Sequence, residues 1–178
     1  MDRYAALVEA LRAEIPGFRI VHKADSPMHR AIDVALRAVT LGRMRDYLEN
    51  YQTTIGRTVY VTSDWDALDA DRRYITLRHE AIHLRQFRRW SLPVMALLYI
   101  FVPLPLGLAY CRARFEQAAY AETIHATYEV HGLAAARSPS LRAHILEQFT
   151  SASYGWMWPF PRSLDRWYDG VLRGILAS

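Results

Sequence analysis

The chain is organised around Arg78-His79-Glu80-Ala81-Ile82-His83-Leu84-Arg85-Gln86, a stretch that contains the pattern His-Glu-x-x-His. On a helix, residues four apart lie on one face about one turn apart, so His79 and His83 can offer two imidazole nitrogens to one metal ion. Glu80 is rotated by about a third of a turn from His79. It can therefore reach a water on the metal without binding the metal itself. The stretch predicts a zinc half-site with Glu80 as general base.

The alternative interpretation of this motif is a surface helix with solvated histidines. Leu77 and Leu84 flank Glu80 at three and four residues' distance, which places Glu80 on an apolar stripe. An unpaired carboxylate on such a stripe costs free energy unless it has a partner or a function. The apolar setting therefore favours the metal site.

Composition predicts one globular domain over residues 1–178. The apolar fraction of 52% and the charged fraction of 22% exclude a disordered chain. Net charge is +4, and Lys23 is the only lysine among the 22 basic residues. No run of basic residues is interleaved with aromatic ones, so no nucleic-acid partner is expected. The single cysteine, Cys111, excludes an internal disulfide.

The residue pattern predicts an α+β, mostly helical fold class. Two alternating runs around Gly56-Arg57, within residues 51–62, predict a β-hairpin with glycine at the first turn position. A long helix from about Ala70 to Trp90 follows and carries the metal motif. A small antiparallel sheet is thus expected to pack beside this helix and beside a second helix that bears glutamates.

The segment Leu92 to Cys111 contains twenty residues without a charge. Its length suits a membrane span, but Pro103 and Pro105 would break a single helix. A full crossing would also separate His79 and His83 from every later ligand. We therefore expect an apolar hairpin that contacts the core, a protein partner or a membrane surface.

A cytoplasmic location is expected, either free or peripheral to the inner face of the membrane. Residues 1–20 carry charges through what would be the apolar core of a secretory signal, so none is predicted.

A catalytic zinc ion keeps three protein ligands and one open position. The helix predicted from Arg112 to Gly132 offers several carboxylates and imidazoles, and we choose Glu116 because the small side chains of Ala118 and Ala119 let two helices approach closely. The candidates left open are Glu122, His125, Glu129, His131 and, further along the chain, His144.

His79-Glu80-x-x-His83 on a helix, followed by Glu116 on a later helix, resembles the gluzincin group of zinc metallopeptidases, particularly its small, minimal members. The resemblance covers roughly residues 51–132. It implies a zincin-like domain in which His79, His83 and Glu116 bind Zn²⁺ and Glu80 is the general base. It also implies a peptide or protein substrate that lies along an edge strand such as Thr58 to Val61. The Asn-Glu or Glu-x-x-x-Asp patterns common around the third ligand of that group are absent here.

The expected activity is peptide-bond hydrolysis by a metal-activated water. Tyr120 and Tyr154 are the candidate donors to the oxyanion, although a Tyr-Trp-Trp cluster such as the one around Tyr154 is more often core or interface.

Two other functional classes stay open. One is a di-iron carboxylate bundle, which uses pairs of the type Glu80-x-x-His83 and Glu122-x-x-His125. Such a bundle also needs a lone glutamate on a separate helix between the two pairs, and this chain lacks it. The other class is a metal-binding or membrane-associated scaffold without catalysis.

Overall fold

The computed structural model describes residues 2–27, 52–91, 93–95, 110–151 and 157–177. The chain divides into two compact units, Met1–Arg88 and Arg89–Ser178. Helices dominate both units, and the first also contains a small sheet, so the α+β, mostly helical fold class is confirmed. A single domain over residues 1–178 stays a prediction.

The first unit contains a sheet and two long helices. The long helix that carries the metal motif has the bounds expected from the sequence. Asp69 caps its start, because Asp69 Oδ1 accepts a hydrogen bond from the backbone N–H of Arg72 at 2.7 Å. The elements are α1 (Arg3–Glu14), β1 (Arg19–His22), β2 (Thr53–Ile55), β3 (Thr58–Val61) and α2 (Ala70–Trp90), with short 3-10 helices at Lys23–Asp25 and Trp65–Ala67.

The sheet has the strand order β1-β3-β2. β2 and β3 form the predicted antiparallel hairpin, and Gly56 takes the first turn position with φ 62°. β1 pairs with β3 in parallel, with Arg19 opposite Thr58, so the sheet is mixed. Thr58–Val61 is therefore the central strand, and its predicted role as an edge strand is wrong. The reason is that β1 comes from a distant part of the sequence and covers the side of β3 that the hairpin leaves open.

A core of apolar side chains joins α1, the sheet and α2. Leu11, Val59 and Leu77 come from these three layers, and each has 0% exposure. Arg85 of α2 donates two hydrogen bonds to the carboxylate of Glu14 at the end of α1, at 2.9 and 2.8 Å. The hydrogen bond from Arg85 lowers the pKa of Glu14. These contacts fix the helix that carries the metal motif against its own unit.

The second unit is a packed group of helices. Its elements are α3 (Tyr110–Ala136), α4 (Pro139–Thr150) and α5 (Pro161–Ala177). Ile124, Ile145 and Leu164 come from the three helices, and each is fully buried in one cluster. Gly132, expected to end the helix, interrupts α3 with φ 79° and ψ −179°, and a last helical turn follows it.

Most of the apolar segment 92–111 lies outside the described residues. Within the described ranges, no helix has both the length and the apolarity needed to cross a bilayer. The expected contact of this segment with a partner or a membrane surface, and the cytoplasmic location, stay predictions.

We expect Gly132→Ala to lower the free energy of unfolding by about 2 kcal/mol, because the backbone angles of Gly132 are strained for any residue with a Cβ. Gly174→Ala is the matched control. It replaces a glycine inside α5, and we expect it to raise the free energy of unfolding by about 0.5–1 kcal/mol. An added Cβ meets no atom within 4 Å at either position, so the comparison isolates the backbone. Urea unfolding measures both values, and shifts of the same sign would contradict this account.

Candidate metal centre

Two imidazole rings of α2 form the first part of the site. The centroids of the His79 and His83 rings lie 5.1 Å apart, with an angle of 67° between the ring planes. His83 is 8% exposed, while His79 is half-buried. The four-residue spacing on a continuous helix thus sets both rings on one face, as the sequence predicted.

Glu116 of α3 supplies a third possible ligand. One ligand atom each from His79, His83 and Glu116 lie within 4.8 Å of one another. Donors bound to zinc at about 2.1 Å in a tetrahedral site lie about 3.4 Å from one another. Two imidazoles and one carboxylate are a donor set that zinc accepts, and they leave one position for water.

The other predicted ligands are not part of this group. Glu122 is half-buried, and His125 and His144 are exposed. Among the described residues, the group that could hold a metal consists of His79, His83 and Glu116. The exposure of His125 also gives no support to the second Glu-x-x-His pair as an iron site.

Glu80 is buried in the first unit and 6% exposed. The hydroxyl Oγ1 of Thr54 in β2 donates a hydrogen bond to Glu80 Oε2 at 2.6 Å. Leu77 and Leu84, the apolar neighbours that the sequence placed around Glu80, are 0% and 1% exposed. The carboxylate is therefore paired within an apolar setting. No sequence pattern predicted Thr54 as its donor.

Lys23, like Thr54, is a buried residue that no sequence pattern singled out. Its side chain is fully buried at 0% exposure, in the short helix that follows β1. Burial lowers the pKa of Lys23 to about 8, and the negative charge of Glu80 acts in the opposite direction. The only signal in the sequence was that this chain uses lysine once.

Gln86 contacts the possible metal ligand His83 but is not itself one of the three possible ligands. Its amide oxygen Oε1 lies 2.9 Å from Nδ1 of His83. In this arrangement Nδ1 donates its proton to the amide oxygen, which leaves the lone pair of Nε2 for a metal. Gln86 therefore orients the ring and selects its tautomer.

Of the two predicted oxyanion donors, Tyr120 lies within the described residues and Tyr154 does not. Tyr120 is half-buried against the core of the second unit, and its ring centroid lies 5.6 Å from that of Phe149. Tyr154 lies outside the described residues. The catalytic role of both tyrosines stays a prediction.

We expect Gln86→Ala to weaken zinc binding by about 10–100-fold, the usual effect of removing a partner that orients a metal ligand. Gln86→Glu retains an acceptor for the His83 N–H and should retain the affinity. Competition with a chromogenic chelator measures both constants. An equal loss in the two variants would contradict an orienting role for the Gln86 acceptor.

No family model, curated protein or solved structure matches the chain. The resemblance to gluzincins therefore depends on His79, Glu80, His83 and Glu116 alone. A function has to be argued from the chemistry of these side chains and their immediate surroundings.

Proposed function

We propose that the protein is a zinc-dependent peptide-bond hydrolase of the gluzincin type. The observation that carries the proposal is the group of ligand atoms from His79, His83 and Glu116, within 4.8 Å of one another. His83 and Glu116 are 8% and 9% exposed. Ligands with little exposure favour an ion that is held for chemistry or structure over one loosely bound at a surface.

The donor types support zinc over harder ions. Two imidazole nitrogens and a carboxylate oxygen suit Zn²⁺, whereas Mg²⁺ and Ca²⁺ prefer sites built from oxygen ligands alone. Three protein ligands in a tetrahedral site leave the fourth position open, which is typical of catalytic zinc. When bound, zinc lowers the pKa of a water molecule and polarises the scissile carbonyl.

Glu80 has the role of general base in this proposal. It accepts a proton from the attacking water as the new C–O bond forms, and it passes that proton to the amine nitrogen as the C–N bond breaks. Thr54 holds Oε2 of Glu80, so Oε1 is the oxygen assigned to the proton. The base thus works from a fixed position.

The substrate is proposed to be an extended peptide that lies along β2. Among the described strands, β2 pairs with β3 on one side only. Its middle residue, Thr54, contacts Glu80. A strand edge offers backbone N–H and C=O groups that can pair with an extended peptide. This edge replaces Thr58–Val61, which the sheet encloses on both sides.

We expect the purified protein to bind about one zinc ion per chain. His83→Ala and Glu116→Gln should lose the ion on dialysis, because each removes a ligand. His144→Ala is the matched control, since His144 is exposed on α4. Elemental analysis measures the ratio of metal to protein. Two irons per chain, or zinc retained in both ligand variants, would overturn the proposed site.

We expect Glu80→Gln to lower kcat by about 100-fold or more, because the amide cannot accept the proton, while zinc stays bound. A quenched-fluorescent peptide library identifies a cleaved sequence, and the variant is then measured on it. Glu147→Gln, at an exposed position of α4, is the control for loss of an acidic side chain. Unchanged cleavage by Glu80→Gln would remove Glu80 from the mechanism.

A further inference from the structure

Aromatic rings gather at the end of the second unit where α3 and α5 begin. Tyr110 is the first residue of α3 and is 55% exposed, and Phe160 directly precedes α5 and is 51% exposed. The ring of Trp158 lies between them, with its centroid 5.9 Å from that of Tyr110 and 5.5 Å from that of Phe160. These three rings form the aromatic face of the unit. An exposed row of large apolar side chains marks a surface that binds a partner.

A cavity of about 310 Å³ opens beside the aromatic face. Three aromatic and three polar side chains line it, namely Tyr110, Trp158, Trp167, Arg114, Gln117 and Ser163. Arg114 is exposed, and its Nη1 donates a hydrogen bond to Oε1 of Gln117 at 2.8 Å, which holds the guanidinium at the cavity wall. No acidic side chain is among the described residues that line the cavity. The cavity therefore suits an anionic group attached to an apolar body.

An exposed aromatic ring and an arginine stand at each end of the uncharged segment Leu92 to Cys111. Before it, Trp90 is 41% exposed, and the guanidinium of Arg89 lies over its ring at 5.4 Å from the centroid. At its other end stands Tyr110, and Arg114 follows one helical turn later. Aromatic rings and arginines flank apolar segments at the level of lipid headgroups. There the rings lie between acyl chains and water, and the guanidinium faces phosphate.

We propose that the aromatic face binds the surface of an anionic lipid bilayer, with Arg114 on a lipid phosphate in the adjoining cavity. Phe160 and Tyr110 enter the boundary between headgroups and acyl chains, where burial of the rings provides affinity. A nucleic acid or a protein partner would also account for the rings and the arginine. Neither accounts for their place at both ends of twenty uncharged residues. This binding is separate from the proposed hydrolysis and uses none of its ligands.

The test is flotation of the full chain with vesicles of three parts phosphatidylcholine and one part phosphatidylglycerol. A chelator is present, so the result depends neither on a bound metal nor on peptide cleavage. We expect the protein to float with these vesicles and to dissociate as the salt concentration rises to about 0.5 M, because salt screens the attraction of arginine to phosphate. Absence of flotation, or equal flotation with vesicles of phosphatidylcholine alone, would overturn the proposal.

Phe160→Ser tests the aromatic face itself. We expect this variant to bind the anionic vesicles about 10-fold more weakly, because it removes an apolar ring that the bilayer covers. Leu176→Ser is the matched control. Leu176 is also 51% exposed, but it lies near the other end of α5, and its loss should leave vesicle binding unchanged. An equal loss of binding in the two variants would contradict a specific role for the face.

Arg114→Gln tests the assigned phosphate contact. We expect about fivefold weaker binding to the anionic vesicles, the usual contribution of one arginine at a charged membrane surface. Arg137→Gln removes an exposed arginine that follows the other end of α3, and it should have little effect. Binding of Arg114→Gln at the affinity of the unsubstituted protein would overturn the phosphate contact.

Thermal unfolding shows whether each variant folds. Should Phe160→Ser fail to fold, Tyr110→Ser replaces it, and Tyr128→Ser is then the control, since Tyr128 is an exposed tyrosine further along α3. Sedimentation of the protein without vesicles tests a second copy of the chain as the occupant. A dimer that Phe160→Ser dissociates, with no flotation of the unsubstituted protein, would overturn the lipid assignment.

Discussion

The hydrogen bond from Thr54 to Glu80 is the contact on which the organisation of the first unit depends. It joins the long helix α2 to the strand β2, over 2.6 Å between Oγ1 and Oε2. A buried carboxylate without such a donor would be strongly unfavourable. Because Glu80 adjoins His79 in the chain, the same contact anchors the turn of α2 that carries His79.

Much of this arrangement could be predicted from local sequence patterns. The bounds of α2, the two-residue turn at Gly56-Arg57 and the burial of Leu77 and Leu84 follow from periodicity and capping. The choice of Glu116 used the small neighbours of its helix, and Glu116 belongs to the group of residues that could hold a metal ion. These features depend on short stretches of chain, where spacing alone limits the possible geometry.

The structural features that the sequence does not predict depend on pairing between segments that are distant in the chain. The parallel pairing of β1 with β3 makes Thr58–Val61 a central strand. No turn sequence or residue spacing predicts this pairing. Thr54 is an ordinary strand residue until the fold sets its hydroxyl against the Glu80 carboxylate. Gln86 is three residues from His83, a spacing that allows a contact but does not predict that its amide oxygen faces Nδ1 of His83.

The short loop between β2 and β3 has a consequence for chemistry as well as for folding. Successive side chains of a strand point to opposite faces, so Thr54 meets Glu80 while Thr53 and Ile55 face away from it. With only Gly56 and Arg57 in the connection, the hairpin has little freedom to slide. A slip of β2 by one position would turn the Thr54 side chain to the opposite face of the sheet, away from Glu80. The turn at Gly56 thus helps to set the strand register that places Thr54 against the buried carboxylate of Glu80.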